Sequence, residues 1–254
     1  MTSSPSPVRL AAWSMLGVPA AASLLAGIGA DLLVLDGQHG LYDDATLIAA
    51  IPGAARVPVH VRVSHNSPAL IGRALDAGAR GVIVPMVQSG DEAIAAARAS
   101  RYPPLGERSW GPLAAYRGEP TIDPVTANEA VWCAVMVETA RAVADVEVIA
   151  AAPGVDEVFV GPFDLALALG TTVGDLLADR SPGNPLDTVV AACRRAGTVA
   201  GAFAGSLAAA ENLIGRGYTS VAVAVDTQVI AAAGAELISA ARLLPVPANP
   251  PPAA

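Results

Sequence analysis

The chain has 254 residues, 53% of them apolar, and a formal net charge of -8. That length is about one (β/α)8 barrel and can bury a large core in a single domain. The acidic balance excludes a nucleic-acid binder, which needs clustered basic side chains to displace counterions from phosphates. The two cysteines, Cys133 in a predicted strand and Cys193 in a predicted helix, read as small buried apolar residues in a reducing cytoplasm rather than as a disulfide framework.

In chain order, the first problem is the uncharged stretch from Leu10 to Ala30, which follows Arg9 and so raises a signal peptide or membrane span. Ser14, Gly17, Pro19, Ser23, Gly27 and Gly29 interrupt it. It divides into a strand, Leu10 to Leu16, and a buried helix, Ala20 to Ala26, with Pro19 in the first turn, and no membrane partner is expected. Further strand-like runs follow at Leu32 to Leu35, Val57 to Val63, Gly81 to Pro85, Val131 to Val137, Val155 to Val160, Val199 to Phe203 and Ser220 to Val225, eight in all. Between them lie Ala- and Leu-rich helical segments such as Ser67 to Ala77, Asp91 to Ser100, Thr139 to Ala151, Asp187 to Ala196 and Leu207 to Arg216. Gly78, Gly154, Gly197 and Gly217 each stand just before a strand, as short helix-to-strand turns require. Eight strand-helix repeats favour a closed barrel over an open doubly wound sheet.

Two connections are too long for simple turns. Tyr102 to Glu129 has the length and the Pro, Gly and aromatic content of a functional loop or lid, and Gly170 to Pro185 is expected to hold a short helix near Thr172 to Leu177. The expected organisation is therefore a barrel over residues 1–244 and a mobile proline-rich tail over 245–254, to which no function is assigned.

Glu138 ends the fifth run and Asp164 follows the sixth. In a parallel barrel the carboxyl ends of all strands share one rim, so these acids can meet there. Two carboxylates with no Cys or His beside them suit a hard, partly hydrated divalent cation such as Mg2+ or Mn2+. Asp36-Gly37-Gln38-His39-Gly40 closes the second run and brings His39 to the same rim. His39 is a general-base candidate that Asp36 could orient, or else a turn histidine that satisfies backbone groups. His65 and His60 have weaker claims. Arg62, near the end of an apolar strand, needs an anion or carboxylate if buried, and can bind a substrate anion or form a structural ion pair. Asp76 ends the helix before the fourth strand, on the opposite rim, so a cap or ion pair is its default role and it could serve catalysis only at a neighbouring subunit. Gly161-Pro162-Phe163-Asp164-Leu165 combines a tight turn with a helix start, where Asp164 could cap the helix while it binds a metal and backbone N–H groups could seat a carboxylate.

Through these residues the chain resembles the HpcH/HpaI aldolase family, metal-dependent class II pyruvate aldolases of the phosphoenolpyruvate/pyruvate superfamily. The resemblance runs from about Trp13 to Thr227 and includes Asp36 to Gly40, Gly81 to Val87, Arg101 to Arg108, Val137-Glu138-Thr139, and Gly154-Val155-Asp156 through Gly161 to Leu165. It implies a (β/α)8 barrel, commonly a homohexamer of dimers that exchange the last helix. By position it implies that Glu138 and Asp164 hold the divalent metal (Mg2+, Mn2+ or Co2+). His39 with Asp36 would form the proton-transfer pair, and Asp76 would raise the basicity of the histidine. Arg62 would bind the keto oxygen, backbone at Phe163 would meet the substrate carboxylate, and Trp13 and Phe203 would shape the aldehyde pocket.

The implied reaction is reversible aldol addition of pyruvate, or a pyruvate-like 2-oxo acid such as hydroxypyruvate, to an aldehyde through a metal-stabilised enolate. All 15 basic residues are arginine, so the Schiff-base alternative, which needs a lysine, is eliminated. Departures from the family pattern are Gln38 where many members have Glu, Met136 where some place a substrate-binding Gln, and Arg108 to Pro112 where a small-residue turn is common. Oxaloacetate decarboxylation or acyl-CoA ester cleavage would use the same charge stabilisation, although no basic patch for a nucleotide is evident. A non-catalytic 2-oxo-acid binder could keep Glu138, Asp164 and Arg62 yet lack a working base.

Overall fold

A computed structural model describes residues 8–245. Most of the proline-rich tail, from residue 246 on, lies outside the described residues. Eight parallel strands close into one barrel in sequence order: β1 (Arg9–Ser14), β2 (Leu32–Asp36), β3 (Val59–Arg62), β4 (Gly81–Val84), β5 (Trp132–Val137), β6 (Glu157–Val160), β7 (Val199–Phe203) and β8 (Ser220–Val225), with β8 paired back to β1. Each strand is followed by helix, as expected. The main ones are α1 (Pro19–Leu25), α2 (Asp44–Ala54), α3 (Pro68–Asp76), α4 (Gly90–Ala99), α5 (Pro124–Ala130), α6 (Ala140–Ala144), α7 (Val146–Ala150), α8 (Pro162–Ala168), α9 (Val173–Ala178), α10 (Pro185–Ala196), α11 (Leu207–Arg216) and α12 (Asp226–Ala241).

The strands read as continuous apolar runs because both of their faces are covered. Side chains such as Leu33, Leu35, Val61, Val82, Val135 and Val158 point outward and pack with the helices in one large core. Their neighbours Trp13, Val34, Ile83, Met136 and Phe159 point inward and fill the barrel. Several helices after strands start on a polar side chain that accepts from the first-turn backbone, among them Asp43, Ser89, Thr139 and Ser206, each worth roughly 1 kcal/mol. The four glycines before strands all have positive φ, between 76° at Gly197 and 110° at Gly78, so those turns are built as the residue type suggested.

The stretch from Leu10 to Ala30 folds as read from the sequence, as β1, a seven-residue α1 that begins at Pro19, and turns; among the described residues no helix is long and apolar enough to cross a membrane. Two expectations change. The helix expected over Thr139 to Ala151 is two short helices that meet at Asp145 (φ -95°, ψ 4°). The long segment from Tyr102 to Glu129 contains a 3-10 turn at Leu113–Arg117 and most of α5. It joins a helix to a strand, so it lies on the amino-terminal rim and is no lid over its own barrel's carboxyl end. There it walls a cavity of about 400 Å³ with Ile51, Leu75, Asp76 and Val131. After β8, α12 leaves the barrel with Ile230, Leu237 and Ile238 exposed.

Candidate active site

Strand register creates the first contact of the site. Asp36 and Arg62 are the last residues of β2 and β3 and are directly paired across them. Both side chains alternate inward, and both are buried, with Asp36 at 0% exposure. Arg62 donates from Nε to Oδ1 of Asp36 at 3.0 Å and from Nη2 to Oδ2 in a bidentate ion pair. The indole Nε1 of Trp13 donates to Oδ2 at 3.1 Å, and the Arg62 guanidinium lies over the Trp13 ring at 5.0 Å. Burial alone would raise the Asp36 carboxyl. The hydrogen bonds and charge of Arg62, with the N–H groups of Trp13 and Gln38, outweigh it and hold Asp36 below the usual carboxylate range.

The backbone N–H groups of Gln38 and His39 donate to Oδ1 of Asp36 at 2.9 and 3.1 Å. Asp36 therefore folds the β2–α2 loop and holds Arg62. No side-chain hydrogen bond joins it to the His39 imidazole among the described residues, which corrects the expectation that it orients that ring. His39 itself stands exposed on the rim. The amide Oε1 of Gln38 is buried without a partner among the described residues, so the residue that departs from the family pattern also carries an unmet acceptor there.

Glu138 follows β5 and continues the inward face of Ala134 and Met136, at 2% exposure. Its Oε2 accepts the Met86 backbone N–H at 2.9 Å. A Cβ at Gly161 would lie 2.5 Å from its Oε1, so any larger residue there would push the carboxylate from this position. Burial pushes the Glu138 carboxyl up; the Met86 N–H and Arg62 oppose this, while the charge of the adjacent Asp164 adds to it. The two acids, distant in sequence, thus share one mouth of the barrel with Arg62. A close pair of carboxylates, one of them displaced toward its neutral form by burial and further by its neighbour's charge, is relieved by a cation between them, and the oxygen-only donor set fits a hard divalent ion. Among the described residues no group of three or more Asp, Glu, His or Cys side chains is placed to hold a metal ion.

Asp164 is the third residue of α8 and does not cap it; Gly161 is the N-cap and no side chain bonds there. Phe163, beside it, is exposed at 61%. Trp13 packs against Phe159 (5.8 Å) and edge-on to Phe203 (5.3 Å, 83°), which forms an aromatic floor across β1, β6 and β7. Met136 is buried in that apolar layer, two residues below Glu138, and offers no polar contact. Asp76 is not brought to this mouth. At the end of α3 it accepts from Arg108 Nη2 at 2.7 Å on the opposite rim, as a helix-to-strand position dictates. His65 lies at the carboxyl rim with Nδ1 3.1 Å from Ser64 Oγ, and His60 points into the barrel floor. Sequence reasoning read Gly161 as part of a tight turn but missed the space it leaves for Glu138, and it missed the Met86 amide. A backbone N–H leaves no mark in residue type, and the one available signal for Gly161 was a glycine directly before the Pro162 that starts a helix.

Comparison with known proteins supports the family suggested by the motifs. The family model described as HpcH/HpaI aldolase/citrate lyase matches residues 9–233. The chain is 38% identical over 224 residues to a hydroxypyruvate/pyruvate aldolase of Paraburkholderia phytofirmans, covering 84% of this chain and 85% of the relative. It is 34% identical to a 4-hydroxy-2-oxo-heptane-1,7-dioate aldolase of Salmonella typhimurium, covering 91% and 89%. Among solved structures, an HpcH/HpaI aldolase/citrate lyase family protein from Burkholderia cenocepacia superposes with a TM-score of 0.84 at 36% identity, covering 94% of this chain and 96% of that one.

Proposed function

The chain belongs to the HpcH/HpaI aldolase/citrate lyase family, and on that premise we propose that its carboxyl-end mouth joins pyruvate or hydroxypyruvate to an aldehyde and splits the product. It is a carbon–carbon lyase of the aldolase type that uses a divalent cation. The observation that carries the site assignment is the convergence of Glu138, Asp164 and Arg62 at one barrel mouth.

Glu138 and Asp164 would hold the cation, with Mg2+, Mn2+ and Co2+ as the candidates. When bound, it supplies Lewis-acid chemistry, drawing electron density from the 2-oxo group so that a proton at C3 becomes removable. Arg62 spends Nε and Nη2 on Asp36, which leaves Nη1 to donate to the keto oxygen as negative charge develops there. The role of Asp36 is thus to aim the guanidinium. His39 would take the C3 proton, directly or through a water, while the C–H electron pair forms the C2–C3 double bond. C3 then attacks the aldehyde carbon, and the new alkoxide oxygen receives the proton from His39. Cleavage reverses these steps. The N–H groups at Phe163 and Asp164, in the first turn of α8 without intrahelical acceptors, would meet the substrate carboxylate. Trp13 and Phe203 would border the aldehyde. Asp76 can act only at another copy's site in a homo-oligomer, for which a hexamer built as a trimer of dimers is the proposed form.

Deuterium uptake at pyruvate C3 tests this without knowledge of the acceptor. Exchange should require Mg2+, Mn2+ or Co2+ and stop with EDTA, and normal exchange by metal-free protein would overturn the assignment. His39→Ala should lose exchange while it still binds metal, whereas Glu138→Ala should lose metal affinity.

A further inference from the structure

Met86 is the single non-glycine residue with positive φ among the described residues, at 57°. Left-handed backbone is costly for any side chain with a Cβ and persists only where the surroundings enforce it. The enforced position follows β4 in Val84-Pro85-Met86-Val87, beside the end of β5. Here two successive N–H groups reach the same neighbour. Val87 N–H donates to the Met136 carbonyl at 3.2 Å, and Met86 N–H donates to Glu138 Oε2 at 2.9 Å. In an extended chain successive N–H groups point to opposite sides; a left-handed residue turns them toward the same side, as in backbone anion nests. The Met86 side chain is not needed for this, since it is 45% exposed.

The opposite wall of Glu138 is Gly161, whose missing Cβ would meet Oε1 at 2.5 Å. One carboxylate oxygen is therefore fastened on the β4 side, and the other faces the segment that carries Asp164. We infer that Met86 is a positioning residue: its left-handed turn fastens Oε2 of Glu138 through the backbone N–H and leaves Oε1 as the oxygen presented, beside Asp164, to the divalent cation. The inference rests on the reading that Glu138 and Asp164 hold that cation. It predicts that position 86 is selected for backbone conformation and an available N–H, and that Gly161 is needed for space alone, because its own φ of -95° suits any residue.

Titration of the metal-free, full-length protein with Mn2+ alone, with free Mn2+ followed by electron paramagnetic resonance, reads the device apart from turnover. Met86→Gly and Met86→Asn keep an N–H and tolerate positive φ, and should bind Mn2+ within about threefold of the parent protein. Met86→Pro removes the N–H and fixes φ negative, and should bind roughly 10- to 100-fold more weakly, the range typical for loss of a ligand's hydrogen-bond partner. Gly161→Ala should also weaken binding. Circular dichroism and a thermal melt establish that each variant is folded; if Met86→Pro is not, Met86→Val, whose β-branched side chain opposes the left-handed region, takes its place. Parent-like affinity in folded Met86→Pro, or equal losses in Met86→Gly and Met86→Pro, would overturn the inference while the metal site stands. Absence of Mn2+ binding by the parent protein would overturn the site reading and this inference together.

Discussion

Asp36 and His60 show how differently the barrel treats buried polar residues. Asp36 has its charge met by a bidentate arginine, an indole N–H and two backbone N–H groups, so it remains ionised at zero exposure. His60 is on the inward face of β3 at the barrel floor, near Trp132 (6.4 Å between rings), and its Nδ1 has no partner among the described residues. Beside it Arg9 pairs with Glu157 at 2.7 Å and lies 4.5 Å over the Trp132 ring. Burial, with the Arg9 charge, pushes the His60 pKa from 6.5 down to about 3. The folded chain therefore refuses a proton that the unfolded chain accepts below pH 6.5, and stability is lost as pH falls from there toward 3, by at most about 1.4 kcal/mol per pH unit. His60→Leu should remove this component. In urea unfolding at stepped pH, the stability of the variant relative to the parent should rise steadily between pH 6.5 and 4.5; a constant difference over that range would contradict the assignment.

At the scale of elements, the point of interest is how α12 is attached. Its first residue, Asp226, is buried and accepts from Ser14 Oγ at 2.8 Å, Met15 N at 2.9 Å, Leu16 N at 3.2 Å and Thr227 N at 2.8 Å. Ser14 Oγ also meets Tyr42 Oη at 2.8 Å, so the end of β1, the loop before α2 and the start of α12 are one hydrogen-bonded corner beside Trp13. This explains how a helix whose later turns are exposed keeps a defined direction. Asp226→Ala leaves several donors unmet and should destabilise the protein by about 3 kcal/mol, on the usual cost of hydrogen bonds to a buried charge. Chemical denaturation measures this directly, and a loss below about 1 kcal/mol would mean that water replaces the carboxylate.

For the molecule as a whole, the exposed row on α12, with Ile230 at 61%, Leu237 at 70% and Ile238 at 58%, is more apolar surface than a helix facing only water needs to carry. That row would be covered in the proposed assembly of several chains. Light scattering should show a homo-oligomer, with six chains of 25.4 kDa as the expected count. Leu237→Asp with Ile238→Asp should lower that mass, and a monomeric parent protein would exclude the assembly.

The eight strands, the helix starts at Pro19 and Leu207, and the positive-φ glycines before strands could be read in advance because each depends on local period, a first-turn proline or a residue's own backbone freedom. The acids at the strand ends were equally visible, since strand direction alone assigns Glu138 and Asp164 to one rim. Neighbour relations were not. That Arg62 rather than His39 occupies Asp36 follows from the β2–β3 register, and that residues 102–129 lie under the barrel follows from which end of a strand they join. The Met86 N–H, the space at Gly161 and the corner at Asp226 involve backbone atoms brought together by barrel closure. Such contacts depend on distances between remote segments, and side-chain chemistry along the chain carries no record of them until the last strand pairs with the first.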